Sequence, residues 1–100
     1  MIVISGIILV SDSVRDECLA CLSELRKVSL AEDDGIVTYR VGLDIDNPNA
    51  IHIYEEWEST EALKAHAQKS HMDAFRELRK KHSLQTSGFS RWRAEELGEF

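Results

Sequence analysis

Glu55, Trp57 and His66 are the residues of this sequence best suited to chemistry. They fall in the run Ile53-Tyr54-Glu55-Glu56-Trp57-Glu58-Ser59, which is followed by Ala62, Leu63 and His66. The run reads as the end of a buried strand that turns into a helix capped by Ser59. Side chains alternate along a strand, so Ile51, Ile53, Glu55 and Trp57 share one face. That face is the more apolar, and Glu55 is expected to point into a hydrophobic layer beside the indole. A carboxylate there is costly unless paired, and burial raises its pKa. Helical spacing puts Ala62, Leu63 and His66 on one stripe, which turns the imidazole inward too. Tyr39, on the neighbouring strand, offers its phenol to the same layer as a partner. Ile53, Leu63 and Phe75 are expected to line the space with apolar surface. An imidazole near neutral pKa can take a proton from a bound molecule, and an indole can form the wall for a flat ring. Each of these residues also has a plain packing role open to it, since large aromatics fill small cores whatever their function.

Other chemistries find little support. The sequence has no H-E-x-x-H spacing and no histidine–cysteine pattern of a metal site, and no glycine-rich loop for a nucleotide or flavin, so no cofactor is expected. Cys18 and Cys21 spell C-x-x-C, but they share a helical stripe with Val14, Leu22, Leu25 and Val28 and read as core. His52 and His71 do not join the group at Glu55 by spacing.

The 100 residues, 43% of them hydrophobic and 30% charged, are expected to form one domain over positions 1–100. A net charge of -6 argues against a nucleic-acid partner. The basic cluster Arg76, Arg79, Lys80 and Lys81 ends a predicted helix, where it complements the helix dipole. No apolar run is long enough to span a membrane and no signal-peptide pattern opens the chain, so a cytoplasmic protein is expected.

The elements that must position these residues follow from periodicity. Ile2 to Val10 is a β-branched apolar strand. Ser13 with Asp16 marks a helix start, and that helix runs to about Ala31. Ile36 to Asp44 alternates, with Val37, Tyr39, Val41 and Leu43 facing one way. Asp46-Asn47-Pro48-Asn49 is a turn into the strand ending at Trp57. Helices follow over about Thr60 to Lys69 and His71 to His82, and a last strand over Gly88 to about Leu97. The order β-α-β-β-α-β predicts an α+β, ferredoxin-like fold, an antiparallel sheet with helices on one face. Both parities of the first strand are apolar, which would leave an exposed sheet face; a homodimer packed through that face is the expected remedy.

The chain resembles the antibiotic biosynthesis monooxygenase domain family, whose members are dimeric α+β barrels and include cofactor-independent quinol monooxygenases. The matching pieces are Met1-Ile2-Val3, Gly35-Ile36-Val37-Thr38-Tyr39, the hairpin through Asp46-Asn47-Pro48, Tyr54-Glu55-Glu56-Trp57, Ala62-Leu63 with His66, and Ser70-His71 with Phe75. The resemblance implies that Glu55, Trp57 and His66 are cavity residues, with Tyr39 as a wall or donor. It does not extend to the haem-degrading branch, whose first-strand asparagine is replaced here by the stretch Ile4-Ser5-Gly6-Ile7. The implied activity is oxidation of a small electron-rich phenol, hydroquinone or polyketide-like substrate with O2 and no cofactor. His66 would be the base, and Glu55 would orient it or take the proton instead. A small-molecule isomerase or ligand-binding module on the same fold is the alternative.

Overall fold

The computed structural model describes residues 1–100, in the order β1 (Ile2–Leu9), α1 (Asp12–Glu32), β2 (Ile36–Leu43), β3 (Ala50–Trp57), α2 (Thr60–Ala67), a 3₁₀ turn (Ser70–Met72), α3 (Asp73–Lys81) and β4 (Gln85–Arg93). The strands form one antiparallel sheet in the order β2-β3-β1-β4. This is the ferredoxin-like arrangement that the order of elements predicts. No helix is long and apolar enough to cross a membrane.

Register decides which side chains meet. Ile2, Ile4, Gly6 and Ile8 of β1 stand opposite Trp57, Glu55, Ile53 and Ile51 of β3. These positions share the face covered by the helices. Val14, Cys18 and Leu22 of α1 and Leu78 of α3 close onto Ile8, Val10, Ile51 and Ile53 to make the apolar core. The Arg26 side chain donates through Nε to the Tyr39 carbonyl at 2.7 Å, which ties α1 to β2 where Tyr39 turns inward.

Several boundaries differ from the sequence expectation. The first helix begins at Asp12 with Ser11 at the cap, because the Ser11 carbonyl accepts the Val14 and Arg15 N–H groups at 3.1 and 3.0 Å, while the Ser13 hydroxyl pairs with that of Ser11. The last strand begins at Gln85 and ends at Arg93, since pairing with β1 runs out at Ile2. Val37 does not face the helices: the β2 register shifts between Ile36 and Thr38, so Ile36 stands opposite Trp57 and Val37 is left half-exposed.

A second bulge shapes the interior. Ser5 pairs with Ser90 and Ile7 with Ser87, so Gly88 and Phe89 together face Gly6. The Phe89 ring then lies across Gly6 on the helix side. A Cβ at position 6 would fall 2.4 Å from Phe89 Cγ and 2.8 Å from its Cα. Glycine is required by this close approach. Gly6→Ala is expected to lower the unfolding free energy by about 1–3 kcal/mol, the usual range for overpacking, as read from the urea midpoint at unchanged slope.

The outer face is less apolar than the first strand alone suggests. Val3, Ile7 and Leu9 run along it with Trp92, which is 57% exposed. Beside them sit Arg40 over the Tyr54 ring, the Tyr54 hydroxyl donating to Glu56 at 2.7 Å, and His52 paired with Asp44. The apolar part is a stripe rather than the whole face.

Candidate active site

Between sheet and helices lies a cavity of about 280 Å³. Its polar lining is Tyr39, Glu55, His66, Arg79 and Thr86. Ile8, Ile53, Leu22, Leu25, Phe75 and Phe89 supply most of its apolar wall. Apolar walls with a few convergent polar groups are the usual form of a small-molecule site.

Strand β3 delivers Glu55, which is 8% exposed. Burial pushes its carboxyl up, while the hydrogen bond from Trp57 and the nearness of His66 hold it down in part. The Trp57 indole donates through Nε1 to Glu55 Oε1 at 3.0 Å. Glu55 is thus partnered by Trp57, not by Tyr39. The Tyr39 ring lies edge-on to His66 at 6.4 Å, and its phenol is pushed well up, first by burial and then by the Glu55 charge.

His66 comes from α2, whose start is fixed by Ser59 accepting the Ala62 N–H at 3.1 Å. Its imidazole is 4% exposed and packs on the Trp57 indole with ring centres 4.6 Å apart. Its orientation is set by a residue the sequence reading did not single out. Asp33 Oδ2 lies 2.5 Å from His66 Nδ1 and 3.0 Å from His71 Nε2. Burial alone would raise the Asp33 carboxyl, but hydrogen bonds from His66 and then His71, with their charges, bring it below its usual value. An ionised carboxylate can only accept, so both of those ring nitrogens carry protons. The remaining nitrogen of a neutral His66, Nε2, is then a free base.

The three side chains Asp33, His66 and His71 have candidate ligand atoms within 4.8 Å of one another. The 2.5 Å and 3.0 Å separations are those of direct hydrogen bonds. Nitrogen and oxygen ligands stand about 2.0–2.2 Å from a zinc ion, and a bond as short as that to His66 leaves no place for an ion between the two atoms. The cluster therefore fits a histidine held by a carboxylate better than a metal centre.

Three sequence expectations need correction. Trp57 is fully buried and is not part of the cavity wall; it stands behind Glu55 and His66 and supports both. Leu63 does not line the cavity, because on α2 it is His66 that projects into it. Glu55 does not orient His66, since Asp33 holds that position. Ile53 and Phe75 do line the space, together with Tyr39 and Glu55. Cys18 and Cys21 are core-facing thiols, and burial pushes Cys18 up to about 11, which leaves no reactive thiolate near neutral pH.

The sequence did carry a signal for Asp33. It caps the C-terminal end of α1, where the helix dipole favours a cation, and that last turn has no basic residue. Gly35, with φ of 78°, then lets the chain turn under α2, close enough that a Cβ would meet Ala62 at 2.6 Å. His71 lies at a helix start, outside the spacing of the Glu55 group, and the 3₁₀ turn brings it back to Asp33. Arg79 stands in the last turn of α3, where a cation complements the helix dipole, and it also reaches the cavity.

The family model described as "Antibiotic biosynthesis monooxygenase" matches residues 1–78. The chain belongs to the antibiotic biosynthesis monooxygenase family. No curated protein matches it in sequence. Among solved structures it is similar to a Deinococcus radiodurans protein named as a candidate antibiotic biosynthesis monooxygenase, with TM-score 0.89 and 18% identity over 100% of this chain and 98% of that one. A Pseudomonas aeruginosa protein aligns with TM-score 0.83 and 18% identity over 95% and 94% of the two chains. A conserved Methanosarcina mazei protein aligns with TM-score 0.82 and 21% identity over 94% and 92%. At such identities these likenesses establish the fold of the family member and leave its reaction to the site.

Because the folded Asp33 carboxyl is depressed, its ionisation stabilises the protein above the unfolded value of about 3.9, and this contribution fades as pH falls through the folded value. Asp33→Asn should therefore lower the melting temperature at pH 7. The gap between wild type and variant should narrow below about pH 4, as followed by thermal melts across that range.

Proposed function

We propose that this family member is a cofactor-independent monooxygenase that oxidises a small electron-rich phenol, hydroquinone or polyketide-like substrate with O2. The observation that carries the reading is His66, fixed through Nδ1 by Asp33 and lining an apolar cavity that also holds Glu55 and Tyr39. His66 acts as the base through Nε2, and Asp33 is a positioning residue that keeps the imidazole in that tautomer and orientation.

Triplet oxygen reacts poorly with closed-shell molecules, but a phenolate or enolate can donate the first electron itself. His66 removes the substrate proton. The anion passes one electron to O2, and the resulting pair of radicals joins carbon to oxygen as a peroxide. Loss of the hydrogen that remains on that carbon, with cleavage of the O–O bond, leaves a carbonyl and one water. A ring C–H carbon ortho or para to the ionised oxygen thus becomes C=O while O2 supplies one oxygen to the quinone and one to water, and no other reductant is consumed. Ile53, Phe75 and Phe89 hold the ring and exclude bulk water from the radical pair. Tyr39 donates to a substrate oxygen, since its phenol stays protonated. Trp57 keeps Glu55 and His66 in place from behind.

Glu55 gives a specific reason to weigh a second reading. A carboxyl raised by burial, beside an imidazole in the same space, can shuttle a proton between two substrate atoms, as an isomerase or a simple ligand-binding module would use it. Oxygen uptake by chelator-treated protein against a panel of hydroquinones and anthrols separates the two. The oxygenase reading expects uptake with quinone formation. Ligand-induced thermal stabilisation without uptake would favour the isomerase or module. His66→Ala is expected to reduce oxygen uptake by about 10²-fold or more, and undiminished uptake would remove His66 as the base.

A second copy packed on the outer sheet face belongs to the same reading. It would cover the stripe of Val3, Ile7, Leu9 and Trp92. Light scattering at micromolar concentration should give twice the chain mass, and Trp92→Glu should return the mass toward that of one chain.

A further inference from the structure

The cavity has two unlike ends. Tyr39, Glu55 and His66 are buried, whereas Arg79 and Thr86 are exposed at the lip. The segment from the 3₁₀ turn into α3 meets the cavity at Met72, Phe75 and Arg79, spaced three and four residues apart. That spacing is one helical stripe, and on a cavity-facing stripe an apolar residue is expected at the third position. Arginine stands there instead.

The charge is also uncommitted. Arg79 takes part in none of the ion pairs of the protein, although acidic residues outnumber basic ones by 18 to 12. Arg76, one turn earlier, is spent on Asp73 and on the Ala67 carbonyl. Arg79 is therefore the cation that lines the cavity, while the only carboxylate in the lining, Glu55, is buried and already bonded to Trp57. A guanidinium presents a planar fork of donors that matches a carboxylate, and it gains most when a bound ring shields the pair from water.

We infer that Arg79 is a specificity-determining residue and that the substrate is a hydroxylated aromatic bearing a carboxylate. The reacting hydroxyl lies at the end lined by His66, and the carboxylate lies at the lip against Arg79, with Thr86 as a second donor. The ring between them fills the apolar stretch bounded by Phe75 and Phe89. This names the substrate class for the site and rests on the oxygenase reading only for which end reacts.

The test compares two probes that differ by one group, 1,4-dihydroxy-2-naphthoate and 1,4-dihydroxynaphthalene. Binding is titrated calorimetrically under argon to the full-length wild type, Arg79→Gln and Arg79→Lys, so that no turnover or autoxidation intervenes. Wild type should bind the carboxylate roughly fivefold more tightly or better, with a preference that weakens at high salt. Arg79→Gln should bind both probes alike, and Arg79→Lys should keep part of the preference. Circular dichroism melts should be unchanged, since the side chain is exposed, so a folding defect would be recognised. Equal binding of the two probes by wild type, a preference that survives Arg79→Gln, or no saturable binding of either probe would overturn the inference. Oxygen uptake is read separately: a carboxylate preference lost in Arg79→Gln without any oxygen consumption would sink the oxygenase reading and leave the anion site standing.

Discussion

A carboxylate enclosed at the carboxyl end of a helix is unfavourable twice, once for leaving water and once for facing the negative pole of the dipole. Asp33 is in that position, and two imidazole N–H groups offset its cost. The site depends on this arrangement. The carboxylate needs both histidines to remain ionised, and His66 needs the carboxylate to hold its proton on Nδ1 and leave Nε2 free. Glu55 and Trp57 repeat the scheme one layer nearer the sheet, an acid made tolerable by a single indole donor. A carboxyl with two donors is held below its usual pKa, and one with a single donor stays above. Two acids near one imidazole are thereby driven apart in their proton affinity, Glu55 lining the cavity with its carboxyl raised and Asp33 outside it with its carboxyl lowered.

The hollow itself has a different origin. A four-stranded sheet covered by helices packs solid unless something keeps the layers apart. Here the β4 bulge and Gly6 let Phe89 lie flat on the sheet as one wall, while the break between α2 and α3 lets Met72 and Phe75 form another. Stability and function pull on the same residues. Filling the space would add packing, yet it would remove the apolar cavity onto which Glu55 and His66 open. Membership of the antibiotic biosynthesis monooxygenase family fixes the frame in which this occurs, and the particular polar groups at the two ends of the cavity give the chain its own chemistry.

Alternation and helical spacing are local properties, and the sequence showed them plainly. They gave the β-α-β-β-α-β order, the inward face of β3, the cap at Ser59 and the inward turn of His66. Where local signals failed, a register shift was responsible. Val37 follows the alternation of β2 but sits on a bulge, and Phe89 reaches the cavity only because two residues of β4 face one of β1. Bulges depend on how two strands fit, which neither strand states alone.

By itself, then, the sequence determined the fold, the layer in which an acid, an indole and an imidazole would lie, and the family to which they belong. Tertiary structure alone decided which group holds which. The indole of Trp57 became the partner of Glu55 instead of a cavity wall, and Asp33, 33 residues before His66, became the group that orients it. The bond between Asp33 and His66 depends on the turn at Gly35 and on where α2 comes to rest against β3. Both are products of packing the whole chain, and periodicity does not encode them.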